Sequence, residues 1–490
     1  MGVDQGSSVG RADFVSRHGL YDALQRQAAA EVLSRLQDDD IRTVRISFAD
    51  QHGILRGKTL IAGMLEAVLR NGCSITSTLL LKDTAHRTVY PIWQRAADRN
   101  PAQMNGASDI ILVPDPTTFR LLPWAPGSAW MLADCYHQSG APVPFCTRSL
   151  CRRVLTRLTD SGYRFIAGLE IEFYIFKLVD PKLEPQHCGQ PSEAPTVRML
   201  SHGYQYLTEN RYDEIEPILE QIRAALVALK LPLRSLESEM GPSQCELTFD
   251  ATEGLQGADN VMLIRSAIKQ ICRRNGYHAT FMCRPALPNI ASSGWHLHQS
   301  LLDARTGRNA FVSSDERDLL SACGQRFVAG LLENAGAACL LAAPTINGYK
   351  RYRPYSLAPS RIVWARDNRG AMIRVIGAPG DPGTHIENRI GESAANPYLY
   401  FASQIIAGRD GMSRGLQVPA AEDAPYESSA RMLPASIVEA IGELRQSALF
   451  RAELGADFVD YLLTIKEHEV HRFLSEEVTD WEQREYFELF

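Results

Sequence analysis

The sequence predicts an α+β fold built from at least two domains, and three observations carry that reading. With 490 residues the chain is too long for one ordinary core. Its strand-like and helix-like segments do not alternate as the regular βαβ units of a doubly wound sheet. Its charged chemistry is concentrated on short apolar strands, where residues two apart share a face.

The elements follow in chain order. Residues 1–12 are polar and read as disordered, and 13–37 show helical periodicity through Leu20, Leu24, Val32 and Leu36, giving an N-terminal helical segment over 1–37. Thr43-Val44-Arg45-Ile46-Ser47-Phe48 alternates as a half-buried strand and runs into the turn Asp50-Gln51-His52-Gly53. Short strands and turns continue through Asp109–Val113 to the Pro- and Trp-rich stretch Leu122-Pro123-Trp124. That stretch suggests a boundary, with one small domain over 38–135 and a large one over 136–490. The large one mixes helices at 149–160, 213–230, 257–275, 315–338 and 435–447 with the strands that carry the motifs. The most apolar stretch, 331–346, contains Glu333 and Asn334 and is too short for a membrane span, so it reads as a buried helix.

Composition narrows the function. Hydrophobic residues make up 45% and charged residues 22%, as in ordinary soluble globular chains. A net charge of −6 argues against nucleic acid or an anionic membrane as the main partner. The 10 cysteines are scattered with no CxxC pair, which excludes a zinc ribbon and fits free thiols in a reducing cytoplasm. The polar start of the chain lacks the apolar core of a signal peptide.

Four segments carry candidate chemistry. In Leu169-Glu170-Ile171-Glu172-Phe173, Glu170 and Glu172 project together while Ile171 and Phe173 face the other way. Glu239 and Glu246 bracket a Gly-Pro turn, and Gln244, Glu246 and Thr248 share a strand face. His296 and His298 sit two apart beside Trp295, and Glu387 and Arg389 two apart further on. Each segment alone has a plainer reading: a solvent-facing strand, a charged hairpin, a pair of core histidines. Together they place five carboxylates and a histidine on strands. Such an oxygen-rich set suits Mg²⁺ or Mn²⁺ better than zinc, and multi-ion sites of this kind serve phosphoryl transfer. The runs Tyr349-Lys350-Arg351-Tyr352-Arg353 and Asn368-Arg369-Gly370-Ala371-Met372-Ile373-Arg374 supply cations for phosphate, although any one of them reads equally as solvated surface. The sequence has no GxxxxGK[ST], so a nucleotide here would be held by metals and arginines and not by a P-loop.

In this order the motifs resemble the glutamine synthetase family, from about residue 40 to about residue 400. Asp50 and Gly53, Ser108-Asp109, Pro114-Asp115 and Leu122-Pro123-Trp124 also stand as in that family. The resemblance implies a small N-terminal β-grasp domain over 38–135 and a catalytic domain over 136–490. It implies that Glu172, Glu239 and Glu246 hold one metal, and that Glu170, His296 and Glu387 hold the metal beside the transferred phosphate. His298 and Ser300 would contact ATP, Arg351 and Arg389 would bind glutamate, and Arg369 and Arg374 would face the phosphates and act in catalysis. Asp50 would be the catalytic aspartate lent by a neighbouring subunit. Tyr204 of the Gly203-Tyr204 pair, with Trp295 beside the histidines, is assigned to the substrate side. The implied assembly is a homo-oligomer of two stacked hexamers with sites between subunits, in the cytoplasm. The implied reaction uses ATP and two or three Mg²⁺ or Mn²⁺ ions to phosphorylate the γ-carboxylate of L-glutamate, which a nitrogen nucleophile then attacks.

One departure bears on the nucleophile. Where glutamine synthetases carry a flap glutamate just before Ala-Pro, this chain has Leu357 before Ala358-Pro359. A leucine can neither hold ammonium nor draw its proton, but offers apolar surface worth about 1.5–3 kcal/mol when fully covered. The expectation is therefore a γ-glutamylamide synthetase whose acceptor is an organic amine: an arylamine such as aniline is neutral at pH 7 and suits an apolar flap, while alkylamines and polyamines stay open and would lean harder on Asp50 as base. Ala291-Ser292 also stand where the family has Asn-Gly. Two other readings stay open at this point: ordinary glutamine synthesis from ammonia, and a non-catalytic scaffold of the same fold.

Overall fold

The computed structural model describes residues 13–38, 40–93, 104–315 and 317–489. Residues 1–12, read above as disordered, lie outside that set. The chain divides into two compact units. One draws on residues 1–50, 55–80 and 91–149, the other on 51–54, 81–90 and 150–490.

The first unit is built on a six-stranded sheet: β1 Thr43–Ala49, β2 Leu55–Ile61, β3 Cys73–Thr76, β4 Asp109–Pro114, β5 Arg120–Leu121 and β6 Ser128–Tyr136. Its order is β2-β1-β6-β4-β3, with β5 against β6. β1 and β6 run parallel, while β1–β2 and β4–β6 are antiparallel. Val44, Ile46 and Phe48 of β1 are fully buried, as their alternation predicts. The single helical segment expected over 13–37 is two helices, Phe14–His18 and Ala23–Asp38. Gly19 ends the first in a left-handed conformation at φ 60°, which an L side chain adopts only at a cost.

The second unit carries a nine-stranded sheet: β7 Tyr163–Asp180, β8 Thr196–Arg198, β9 Leu233–Ser238, β10 Gln244–Glu253, β11 Tyr277–Thr280, β12 Trp295–Asp303, β13 Trp364–Arg366, β14 Ile373–Ile376 and β15 His385–Gly391. The order is β13-β14-β15-β12-β7-β10-β9, and β8 and β11 pair with further stretches of β7. One 18-residue strand, β7, therefore collects partners from four separate parts of the chain. Long strands of one sheet mixed with helices, and not a βαβ repeat, make the chain α+β as the sequence predicts.

Helices cover the apolar face of this sheet. Phe401 of the helix Pro397–Arg414 packs edge-on to Phe165 of β7 at 5.5 Å, and Tyr400 stands edge-on to Trp295 of β12 at 5.0 Å. The helix expected over 315–338 begins only at Ala322, capped by Ser321, and breaks at Asn334 into Ala322–Glu333 and Ala335–Ala342. The second piece is buried throughout, so the apolar run 331–346 straddles a bend instead of forming one helix. No described helix is long and apolar enough to cross a membrane.

The helices Ala322–Glu333 and Pro397–Arg414 approach so closely that a β-carbon on Gly411 would overlap the Arg326 carbonyl and the Gly330 backbone. Backbone cannot yield as a side-chain tip can. Gly411→Ala is expected to destabilise the protein by about 1–3 kcal/mol through overpacking, read as a lowered Tm in thermal unfolding.

Candidate active site

Strand register turns the four scattered motifs into one surface. Across β7 and β12, Glu170 stands opposite His296. Across β7 and β10, Glu172 stands opposite Glu246. Across β12 and β15, His298 faces Glu387, and across β15 and β14, Glu387 faces Arg374. Because neighbours two apart share a face, all of these side chains emerge on the side of the sheet opposite Trp295 and Leu297. Glu239 comes from the turn before β10, where its backbone N–H bonds the Gln244 carbonyl at 2.9 Å.

Two donor groups result. Glu170, Glu246 and His296 each offer an atom within 4.8 Å of the others, and so do Glu170, His298 and Glu387. The geometry thus brings His298, read from the sequence as an ATP contact, among the carboxylates. Its Nε2 lies 3.1 Å from Glu170 Oε2. Ser300 follows on the same strand face, in register with Ile166.

Crowding dominates the electrostatics. Burial and the charges of Glu170, Glu172, Glu239 and Glu237 push Glu246 up to about 11. Burial and Glu239 push Glu172 up to about 8, and burial pushes Glu239 up to about 7. Glu170 goes the other way: burial alone would raise it, but His296 and His298 hold it far below the usual carboxylate range. Glu387 is also lowered, because His296 and Arg389 outweigh its burial. Burial and the Arg389 charge press His296 down to about 4, leaving its imidazole neutral at pH 7. Crowded carboxyls and a neutral imidazole, short of positive charge, are a donor set that a divalent cation such as Mg²⁺ or Mn²⁺ would complete by displacing the carboxyl protons.

Arginines supply part of that positive charge. Arg389 pairs with Glu387 through Nη1, and its Nε donates to the Arg369 carbonyl at 3.1 Å. Arg374 bridges Glu387 at 3.0 Å and Asp367 at 2.9 Å. Arg351 is buried, donating to the Arg389 carbonyl at 2.7 Å and to His296 Nε2 at 3.1 Å. That bond makes Nε2 the acceptor and leaves Nδ1–H to donate to Glu170 at 2.5 Å. Gly294 permits the arrangement, since a β-carbon there would overlap the Arg351 guanidinium. Arg369 is exposed.

Other assigned residues fall less directly. Trp295 is a correction. Adjacent to His296, it points to the opposite face, is 0% exposed, and belongs to the aromatic core instead of the substrate side. Tyr204 bonds the Met240 carbonyl through its N–H at 2.7 Å and the Asn289 carbonyl through its hydroxyl at 2.8 Å, so it props the turn that carries Glu239. Leu357 is 56% exposed at φ 59°, its carbonyl held by Arg389 Nη2 at 3.0 Å. Asp50 belongs to the first unit, where it is buried on Arg56 at 2.6 Å.

The sequence reading missed several residues. Glu237 lies in register with Glu246 on the adjoining strand, a position visible only once β9 is paired. Gln244 donates to Glu172 Oε2 at 3.0 Å and Ser293 Oγ at 2.9 Å, orienting that carboxylate. His385 Nε2 lies 3.0 Å from His298 Nδ1. Tyr206, whose phenol is pushed up to about 12 by burial and by Glu239, sits beside the same carboxylates. Two-residue spacing could have flagged His385 next to Glu387; nothing local marks the others.

A sheet face of crowded carboxylates, histidines and arginines is the site of an ATP-using ligase that works through divalent cations. Residues 144–486 match the family described as glutamine synthetase, catalytic domain. The chain is 43% identical to gamma-glutamylanilide synthase of an Acinetobacter species over 98% of this chain and 99% of that protein. It is 32% identical to gamma-glutamylethanolamide synthetase of Streptomyces coelicolor over 92% and 93% of the two. A solved complex of GmaS with ADP superposes with a TM-score of 0.77 at 25% identity, covering 93% of this chain and 99% of that one. The chain belongs to the glutamine synthetase family, and within it to the ATP-dependent glutamate–amine ligases.

The crowding has a measurable consequence. Carboxyls held above the ordinary 4.5 bind protons more tightly in the folded chain. Their stabilisation is complete below 4.5 and is lost as pH climbs through about 7, 8 and 11. The metal-free protein should therefore lose Tm between pH 6 and 9, and Mn²⁺ should restore more of it at the higher pH, with proton release on binding detectable by calorimetry in two buffers. Glu246→Gln should flatten the pH slope and weaken Mn²⁺ binding; an unchanged slope would show that crowding at Glu246 is not its source.

Proposed function

We propose that the protein joins the γ-carboxylate of L-glutamate to an organic amine, an arylamine of the aniline type, through γ-glutamyl phosphate, releasing ADP and phosphate. One observation carries the choice of amine. The flap residue Leu357, apolar and exposed, hangs by its carbonyl from Arg389, the arginine paired with Glu387. The flap, tied through Arg389 to the carboxylate face, thus offers an incoming nucleophile hydrocarbon where a carboxylate would have held a cation. The 43% identity to a gamma-glutamylanilide synthase supports this reading.

In this reading Glu172, Glu239 and Glu246 hold one divalent ion, and Glu170, His296 and Glu387, with His298 close by, hold the other. Bound there, the ions neutralise the phosphates and the charge that develops as the terminal phosphoryl group moves. His298 and Ser300 line the nucleotide side. Arg369 and Arg374 face the phosphates, and Arg374 is kept in line by Asp367 and Glu387. Arg389 binds the glutamate substrate on the side where it also anchors the flap. Arg351 supports it from behind, fixing His296. The flap keeps water from the acyl phosphate, which would otherwise be hydrolysed. Asp50, lent by a neighbouring subunit, takes the proton that the amine sheds on attack. That role requires a ring assembly, taken here as two stacked hexamers, with residues 38–135 as its β-grasp domain and 136–490 as the catalytic domain. Light scattering reads the subunit number, and inactive Asp50→Ala mixed with an inactive metal-site variant should regain activity if sites are shared.

The deciding measurement is ATP-dependent phosphate release with a panel of amines. Aniline should give a higher kcat/KM than ammonia, and ammonia giving the highest value would sink the reading. Leu357→Glu should shift the preference toward ammonium by about tenfold or more, the scale set by adding one charge-assisted hydrogen bond to the cation and removing the leucine's apolar surface from the ring.

A further inference from the structure

We infer that Tyr426 and Tyr355 form an aromatic wall that receives the flat ring of the acceptor amine, with Tyr426 the specificity-determining residue that also holds the flap in place; this rests on the glutamate–amine ligase reading above.

The flap is strained and has to be held. Tyr355 and Leu357 both sit at φ 59°, where L residues with large side chains are disfavoured. Three bonds fix the segment. Ser356 Oγ donates to the Arg353 carbonyl at 2.6 Å, Arg389 to the Leu357 carbonyl, and the Tyr426 hydroxyl to the Ala358 carbonyl at 3.0 Å. Tyr426 comes from the segment that follows the helix Pro397–Arg414. That segment runs as a strap along residues 360–368. Trp364 Nε1 bonds the Pro419 carbonyl at 2.8 Å and Asn368 Nδ2 the Asp423 carbonyl at 3.1 Å. Past Tyr426, Arg361 bonds the Ala430 carbonyl at 2.8 Å, and the Leu433 N–H bonds the Ser360 carbonyl at 3.0 Å. Bonds on both sides of Tyr426 leave its ring little freedom.

The ring's surroundings identify its occupant. Its centroid lies 5.1 Å from that of Tyr355 at an interplanar angle of 49°. It also lies against Gly370, where a β-carbon would stand 3.0 Å from the ring. The Tyr426 hydroxyl and Arg389 hold the neighbouring carbonyls of Ala358 and Leu357, so the polar end of the ring lies beside an arginine of the site. Tyr355 is 76% exposed beside the half-exposed Leu357, an open aromatic and aliphatic face next to the Arg389 guanidinium. Such a face welcomes a neutral flat ring, which can stack on or meet another ring edge-on. An alkylammonium would bring a positive charge beside that of Arg389, which a neutral ring avoids.

The test compares aniline with isopropylamine and hydroxylamine, a small nucleophile without a ring, for wild type, Tyr426→Leu, Tyr426→Phe and Tyr355→Leu, at saturating glutamate and ATP. The leucine variants should lower kcat/KM for aniline relative to each of the other two by about three- to tenfold, the scale of one aromatic pair. Tyr426→Phe, which keeps the ring and loses only the bond to Ala358, should retain the wild-type ratios within about twofold while slowing all three nucleophiles through a looser flap. Parallel losses for every nucleophile in both leucine variants, or unchanged ratios, would overturn the inference while leaving the ligase reading intact. A wild type that releases phosphate with none of them would remove both. Tyr355 is exposed, so Tyr355→Leu keeps the question answerable if Tyr426→Leu does not fold.

Discussion

Like charges forced onto one half-buried sheet face are what the rest of the site answers to. Glu170, Glu172, Glu246 and Glu387 reach the same side of the sheet through strand register alone, with Glu237 and Glu239 beside them. Burial makes Glu170, Glu172, Glu239, Glu246 and Glu387 reluctant to ionise, and at Glu172 and Glu246 the neighbouring carboxylates add to the effect. The fold meets the repulsion unevenly. Around Glu170 and Glu387 it supplies two arginines and the hydrogen bonds of two histidines, and both carboxyls stay ionised. Around Glu246 it supplies little, and the carboxyl holds its proton. The site is thus divided into a half neutralised by the protein's own cations and a half that depends on ions from solution.

Much of this was legible in the sequence because strands write their faces at a period of two. Glu170 with Glu172, His296 with His298 and Glu387 with Arg389 could each be paired without a structure, and the α+β class followed from the absence of a βαβ rhythm. Register could not be read. Nothing local says that Glu237 stops opposite Glu246, or that Gln244 reaches Glu172, because both depend on how three distant strands align. Trp295 shows the limit of proximity arguments: one residue from His296, it faces the opposite side of the sheet. The helix breaks at Gly19 and Asn334 were missed for a related reason. An apolar pattern records which residues are buried, and a chain can bend while keeping them so.

Tyr426 was invisible for a different reason. It lies in an irregular segment with no periodicity, and its importance comes only from where the strap carries it, against the flap and beside Arg389. Specificity in this architecture is therefore separable from catalysis. The ligand-bearing strands are rigid, paired on both sides and packed on helices. The flap and strap are loops held by a few hydrogen bonds, and loops can change residues without disturbing the sheet. One face of metals and arginines can serve many nucleophiles while the loops decide which one enters.

The protonation state of the amine is where the two halves meet. The acyl phosphate reacts only with a neutral nitrogen, so an alkylammonium has to give up a proton in a pocket already lined by guanidiniums. Their positive field eases that proton's departure, but it also resists the cation's entry, and binding comes first. A flap carboxylate would resolve the conflict by offering the cation a partner on arrival and a base afterwards. With Leu357 in that position the flap itself offers no such partner, and the field resists the entry of charged amines. An arylamine would avoid the conflict by arriving neutral, and on the proposed reading the Tyr355–Tyr426 face would cover its ring with apolar surface as the ring sheds its water. With a hydrocarbon in place of an acid at the flap, the proposed reading favours a nucleophile that arrives already deprotonated. The arginines that hold glutamate and the loop that receives the amine then act as one filter on charge.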